Sequence, residues 1–563
     1  MIRMVRRMLE RLTLLIALFA VASARQVVVD LGYARYSGQA LSNGVAQWLG
    51  VRYAEPPLGP LRFAAPQDPE DIEGIQDASE HGPLCIPTGE YPIPSNTSED
   101  CLYLDVYAPA GFRGSSSKLL PVFVFIQGGG FNSNGNAYYN GTGLIQAANM
   151  GIVVVNFNYR VGPYGFLSGA EVSKDGSLNN GLKDQIQVLK WVQEYISNFG
   201  GDPNHVVIGG ASAGAASVTL LLSAYGGRDD GLFHAAAAES QSFATMLTVE
   251  ESQFAYNNLV IRTGCTSSPD TLACLRSLDI NTLQQSNIAT SLPGAQQAPL
   301  YFYAPVLDED LVPDYTYRLF EDGRFLKNLP VIFGDVTNEG TRFVPANISS
   351  PAQADTFLQA QFPALQLSHL AHINALYLQP NQTVSFPDSA PYWRPTSNAY
   401  GDMRYTCPGI AMSSIYAAAS SSASKSWNYH YAVQDPMDEA SGVGVYHVAE
   451  TAAIWGPQYV SNSVPSSYFT TNAAIVPVVQ AYWTSFIRSF DPNTYRSPGS
   501  PVWESWNGDS SGATAATTSA ASESGGTGKR IFLRTGETRM ESVPVEQRER
   551  CDYLIGIGVD IKQ

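Results

Sequence analysis

The stretch Gly209-Gly-Ala-Ser-Ala-Gly-Ala215 stands between two runs of different character. Before it, His205-Val-Val-Ile208 is short, apolar and β-branched, which predicts a strand. After it, Ala213–Leu222 is rich in Ala and Leu, which predicts a helix. Gly210-Ala-Ser-Ala-Gly214 fits the pattern G-x-S-x-G. Small residues on both sides of a serine suit a strand-to-helix turn so tight that the serine backbone is strained. Such a turn lifts the Ser212 hydroxyl clear of a sheet and sets the Ala213 amide beside it.

Working outward, Pro121-Val-Phe-Val-Phe-Ile126 and Gly151-Ile-Val-Val-Val-Asn-Phe157 are continuous apolar runs, as central strands covered on both faces require. Leu329-Pro-Val-Ile-Phe-Gly334 is another. Gln26–Asp30 and Val45–Tyr53 read as antiparallel strands at the edge of the sheet, and Leu102–Tyr107 as an alternating strand. Gly181–Phe199 is a helix with Leu182, Ile186, Leu189, Ile196 and Phe199 on one face, closed by Gly200-Gly201. Strands alternating with helices predict an α/β fold with a mainly parallel sheet and right-handed crossovers. Residues 244–325 and 345–420 are mostly helical or irregular and are expected as excursions over the functional edge of the sheet. Ser510–Gly528, Ser/Thr/Ala/Gly-rich, reads as a disordered surface loop inside one domain, because strand-like Arg530-Ile-Phe-Leu-Arg534 follows.

The 563 residues carry a net charge of −17, which argues against nucleic acid or an anionic membrane as partner. Met1–Arg11 holds four arginines, Leu12–Val21 is apolar, and Ala22-Ser-Ala24 offers a small-residue cleavage site. That layout is a secretory signal peptide over residues 1–24, with residues 25–563 as one mature domain. No later stretch is apolar and long enough to span a bilayer. Sequons at Asn96, Asn140, Asn347 and Asn381 are glycosylation candidates. In an oxidising compartment Cys85/Cys101 and Cys265/Cys274 close short loops and are expected to pair. Cys407 and Cys551 either pair or stay as buried thiols, with pairing the expectation. No oligomeric state follows from the sequence.

A serine nucleophile needs a base, a carboxylate behind the base, and donors for a developing oxyanion. Gln127-Gly-Gly-Gly-Phe131 directly follows a predicted strand, so the amides of Gly129 and Gly130 can reach a substrate, with Ala213 as third donor. Of seven histidines, His81, His205 and His234 come too early in the chain order of such sites. His369 and His372 form an H-x-x-H without a third ligand, so no metal site is expected. His430 sits in an alternating strand and reads as structural. His447, after Gly442-Val-Gly-Val-Tyr446, is the best base. Asp335 and Glu339 both follow the Leu329–Gly334 strand, and spacing does not choose between them.

With those residues in view, the chain resembles the type-B carboxylesterases and lipases, a family of α/β-hydrolases that includes cholinesterases and secreted fungal esterases. The motifs are Glu99-Asp-Cys-Leu-Tyr-Leu-Asp-Val-Tyr107, Phe199-Gly-Gly-Asp-Pro203 with the Ser212 turn, Asn158-Tyr-Arg-Val-Gly162, Asn338-Glu-Gly-Thr341, Tyr446-His-Val-Ala-Glu450 and Val543–Cys551. The resemblance implies Glu339 as acid, His447 as base, an α/β-hydrolase fold and no cofactor. It also implies a structural Arg62–Glu99 salt bridge. Two departures matter. Ala211 replaces the Glu that the family often places before the nucleophile, and the Cys85–Cys101 loop contains Tyr91 but no Trp, so a choline ester is not the expected substrate.

The expected activity is therefore cleavage of small-molecule or lipid carboxylic esters through a Ser212–His447–Glu339 acyl-enzyme. The alternatives are a lipase acting on longer-chain lipid esters and a non-catalytic adhesion-type relative. The fifteen residues between Cys85 and Cys101 include three prolines, too short and too polar for an amphipathic lid.

Overall fold

A computed structural model describes residues 25–111, 118–419, 425–461, 463–507 and 528–563. The expected signal peptide and nearly all of the Ser510–Gly528 loop lie outside these residues. Gly528 itself is paired, donating to Trp506 and accepting from Val543.

The hydrophobic runs assemble into one thirteen-stranded sheet. Its strands are β1 (Arg25–Asp30), β2 (Arg35–Ala40), β3 (Val45–Arg52), β4 (Ile75–Asp77), β5 (Tyr103–Pro109), β6 (Leu120–Ile126), β7 (Val153–Phe157), β8 (Gly201–Ala211), β9 (Ala235–Glu239), β10 (Val331–Val336), β11 (Ser426–Tyr431), β12 (Lys529–Leu533) and β13 (Arg539–Ser542). The spatial order is β1-β2-β3-β5-β7-β6-β8-β9-β10-β11-β12-β13, with β4 paired to β2. From β7 to β12 neighbours run parallel, while the pairings at both edges are antiparallel except for the parallel pair β2–β4. This is the α/β-hydrolase fold.

Successive strand side chains point to opposite faces, and each face finds its own core. Val122, Val124, Ile126, Val153, Val155, Val206 and Ile208 pack on the side of helix α1 (Asn180–Tyr195) and helix α2 (Ala213–Leu222). Phe123, Phe125, Val154 and Val207 pack on the other side with Trp455 and Trp483, the latter from helix α4 (Val476–Ser489). The buried central runs are thus covered on both faces. Every residue of α2 is buried, which is why its sequence is apolar all round.

The regions 244–325 and 345–420 form excursions dominated by short helices, among them Val249–Arg262, Pro351–Gln361, Trp393–Gly401 and helix α3 (Cys407–Ala419), together with a two-stranded pair, Leu247–Thr248 with Val306–Leu307. Disulfides join Cys85 to Cys101, Cys265 to Cys274 and Cys407 to Cys551. Arg62 holds Glu99 in a paired ion bridge and also caps carbonyls of Leu275 and Leu278. Asn96, Asn347 and Asn381 are exposed, whereas Asn140 is half-buried and its Oδ1 accepts from the Thr142 amide. No helix among the described residues is long and apolar enough to cross a membrane.

Candidate active site

The carboxyl ends of the parallel strands lie flush. Gly210 pairs with Ile126 of β6 and Ala238 of β9, and Glu239 pairs with Gly334 of β10. Residues that follow those ends therefore meet at one edge, where open α/β sheets build their sites. Ser212 follows β8 directly, Gly128–Gly130 follow β6, Glu339 follows β10, and His447 lies in the segment after β11.

Ser212 has φ 59° and ψ −121°, the strained turn that the glycine pattern predicts. The turn closes because Gly210 and Gly214 touch. A Cβ on Gly210 would come within 2.5 Å of the Gly214 backbone, and one on Gly214 within 2.0 Å of the Ile126 carbonyl. Ser212 is 8 % exposed. Its amide donates to the Glu239 carbonyl at 3.0 Å, and its own carbonyl begins the helical ladder by accepting from Ala216. Ala213, the first helical residue, presents an amide that the helix cannot use.

The loop after β6 turns its carbonyls inward. Gly129 O accepts from the amides of Asn132 and Ser133, and Gly130 O accepts from Asn132 Nδ2. The amides of Gly129 and Gly130 have no acceptor among the described residues. Gly128 lies against Ser212, where a Cβ would sit 3.0 Å from the serine Cβ.

Glu339 and His447 meet directly. The imidazole Nδ1 donates to Glu339 Oε2 at 2.5 Å, and Glu339 Oε1 accepts from the Val336 amide at 2.9 Å. That bond places the ring proton on Nδ1 and leaves Nε2 as an acceptor. Nε2 is buried without a partner, so no hydrogen bond to Ser212 is formed here. The acid and base loops are stitched together: Asn338 N donates to Val445 O, and Val445 N donates to Asn338 Oδ1. The dipeptide Glu239-Ser240 ties the histidine loop to the serine turn. Glu239 O holds the Ser212 amide, and Ser240 Oγ accepts from the Val448 amide at 3.2 Å. Asp335, the other carboxylate left open by spacing, lies within β10 and makes no ion pair with His447.

The remaining histidines are engaged elsewhere. His81 pairs with Asp105, His205 with the Ile487 carbonyl, His234 with the Val206 amide and His430 with Glu541. His369 accepts from Gln366 and His372 stacks on Tyr553. No group of three or more metal-ligating side chains occurs among the described residues.

Sequence reasoning did not find the walls of the site. Tyr405 packs on the His447 ring at 4.3 Å and Phe343 meets it edge-on at 5.1 Å. Nor did it find the role of Glu450, whose Oε1 accepts from Ser240 Oγ and Tyr429 Oη, both at 2.8 Å. Its place three residues after His447 was the available signal.

Buried Glu450 and Asp335 feel the Glu339 carboxylate, and buried Glu239 feels Glu450. Burial first, then the Glu339 carboxylate, pushes Glu450 up to about 8. Burial and Glu450 raise Glu239, and burial with Glu339 raises Asp335. A carboxyl whose folded-state pKa exceeds its unfolded value gives its full stability below the unfolded pKa and loses it as pH rises through the folded one. For Glu450 that window runs from 4.5 to about 8. The melting temperature is therefore expected to fall as pH rises across it. Glu450→Gln, which keeps the acceptor for Ser240 and Tyr429, should flatten the fall. An identical slope in the variant would remove Glu450 as a contributor.

Fold and site together define a hydrolase of the α/β class, with a serine at a strand-to-helix turn. The sequence model of the carboxylesterase family matches residues 25–530, and the chain belongs to that family. It is 31 % identical over 492 residues to secreted lipase 4 of Gibberella zeae, covering 83 % of each chain. It is also 31 % identical over 505 residues to secreted lipase 1 of Botryotinia fuckeliana, covering 82 % of this chain and 84 % of that one. Among solved structures it is similar to Aspergillus niger EstA, with a TM-score of 0.88 and 42 % identity over 96 % of this chain and 99 % of that one. The chain is a carboxylic ester hydrolase.

Proposed function

We propose that the chain is a secreted serine esterase working through an acyl-enzyme. The observation that carries this reading is the His447–Glu339 pair, tied through Glu239-Ser240 to the strained Ser212 turn at the same sheet edge as the unpaired loop amides. Ser212 Oγ adds to the ester carbonyl carbon while His447 Nε2 takes its proton. The carbonyl π pair moves onto oxygen, where the amides of Gly129, Gly130 and Ala213 receive it. Collapse restores the carbonyl and breaks the bond to the alcohol oxygen, which takes the proton from His447. Water then repeats the sequence on the acyl-serine, releasing the acid and free Ser212. Glu339 fixes the tautomer and stabilises the imidazolium. No step calls for a cofactor. Secretion is supported by the amino-terminal layout and by the names of the two fungal relatives.

Within ester hydrolysis we read the enzyme as an esterase open in solution. The segment between Cys85 and Cys101, where a lid would lie, is fastened down. Thr88 N donates to Asn132 O, Gly89 N to Asn287 O, and Gln284 Nε2 to the carbonyls of Pro87 and Glu90. A segment held by such bonds has little freedom to swing onto lipid. The test is hydrolysis of tributyrin carried through its solubility limit. A smooth saturating curve with no lag is expected. A sharp rise in rate when droplets appear would move the reading to a lipase gated by an interface.

A further inference from the structure

Four arginines are buried among the described residues, and three of them face carboxylates: Arg62 with Glu99, Arg160 with Asp184 and Arg530 with Glu541. Arg404 is different. It is 5 % exposed, yet no carboxylate among the described residues lies within ion-pair distance, and its Nε is sealed from solvent without an acceptor. A buried charge with no counter-charge is costly to keep, which makes its location informative. Its guanidinium carbon lies 5.2 Å from the centre of the Tyr301 ring and 5.8 Å from that of Tyr405. The ring faces and a hydrogen bond with the Tyr405 side chain supply part of the missing partner, but neither brings a counter-charge and the Nε stays without an acceptor.

Both rings touch the catalytic groups. Tyr405 is the ring that packs on His447. Tyr301 lies against the oxyanion loop so closely that a Cβ on Gly130 would come within 2.0 Å of its Cδ1. Arg404 and Tyr405 ride on the π-helical turn Asp402–Thr406, a rare geometry that is frequent at functional sites. Gly130, Thr245, Leu247, Tyr301, Gln361 and Arg404 share one cavity of about 50 Å³. So small a space favours a short chain.

We propose that Arg404 binds a carboxylate carried by the substrate. The favoured esters are then short acid-bearing ones, either half-esters of short dicarboxylic acids or esters of short hydroxy acids. The inference rests on the esterase reading above and names its substrate class. A planar guanidinium matches a carboxylate through two parallel hydrogen bonds, and burial strengthens them. The net charge of −17 repels anions at long range, so any preference for them has to arise from this local pairing.

The experiment compares kcat/KM within two matched pairs by alkali uptake: monoethyl succinate against ethyl pentanoate, and 3-acetoxypropanoate against butyl acetate. The first pair places the carboxylate on the acyl side and the second on the alcohol side. In the wild type the anionic member of one pair should be favoured about tenfold or more. Arg404→Met should lower that ratio by about the same factor, and Arg404→Lys should keep part of it. The ratio within each protein cancels any general loss of activity. If the methionine variant does not fold, the wild-type and Arg404→Lys ratios still decide. Hydrolysis of the neutral esters with no anionic preference in either pair, or a ratio unchanged in a folded Arg404→Met, overturns the proposal alone. Failure to hydrolyse any of the four esters strikes the esterase reading itself, and this proposal with it.

Discussion

Ser212→Ala is expected to lower kcat on a simple soluble ester by about 10⁴-fold or more while leaving substrate binding in place. In the proposed mechanism the reaction begins at Oγ, which alanine lacks. The change should not disturb the fold. Alanine keeps the Cβ that packs beside Gly128, and the Ser212 amide still reaches the Glu239 carbonyl. What remains would be the contribution of the amides of Gly129, Gly130 and Ala213. The check is steady-state kinetics on the purified variant, with its melting curve as a control. More than a tenth of wild-type activity would remove Ser212 as the nucleophile.

Glu339→Gln should cost nearly as much, about 10⁴-fold, by way of the proton on His447. Glu339 uses one oxygen for the Val336 amide and the other for His447 Nδ1. Glutamine has a single amide oxygen. If it stays with Val336, its NH₂ faces the imidazole and drives the ring proton to Nε2, where it blocks acceptance of the serine proton. If it turns to the imidazole, the Val336 amide is left facing a donor. Either orientation also removes the charge that stabilises the imidazolium. Glu339→Asp keeps the charge but shortens the reach, so it should lose less than the glutamine variant. Equal rates for wild type and Glu339→Gln, with normal melting curves, would contradict the assigned role.

What could be read from the chain, and what could not, divides along physical lines. The Ser212 turn was legible because a strand, two glycines and a helix are consecutive and each leaves a local pattern. The central strands were legible for the same reason, their apolar runs matching burial on both faces. The choice between Asp335 and Glu339 was not local. Asp335 belongs to β10 and has Gly409 of α3 against its Oδ2, whereas Glu339 lies in the turn beyond the strand and reaches His447, 108 residues later. Only the family resemblance separated them. The walls of the site were not legible at all. Tyr301 and Tyr405 come from separate excursions and Phe343 from the segment just after β10, and they meet through tertiary packing, so no periodicity announces them. Arg404 leaves no local pattern either, because its burial without a carboxylate in ion-pair range is a property of the tertiary packing.

The central claim is that Ser212 forms a covalent acyl bond with help from His447. The most direct measurement is the mass of the intact protein after exposure to a nitrophenyl phosphonate, which a serine activated in this way attacks but releases slowly. The account predicts one adduct per chain, mapped by digestion to the peptide containing Ser212, absent from Ser212→Ala and strongly slowed in Glu339→Gln. An adduct on a different serine, or full inhibition with the Ser212 peptide unmodified, would contradict it.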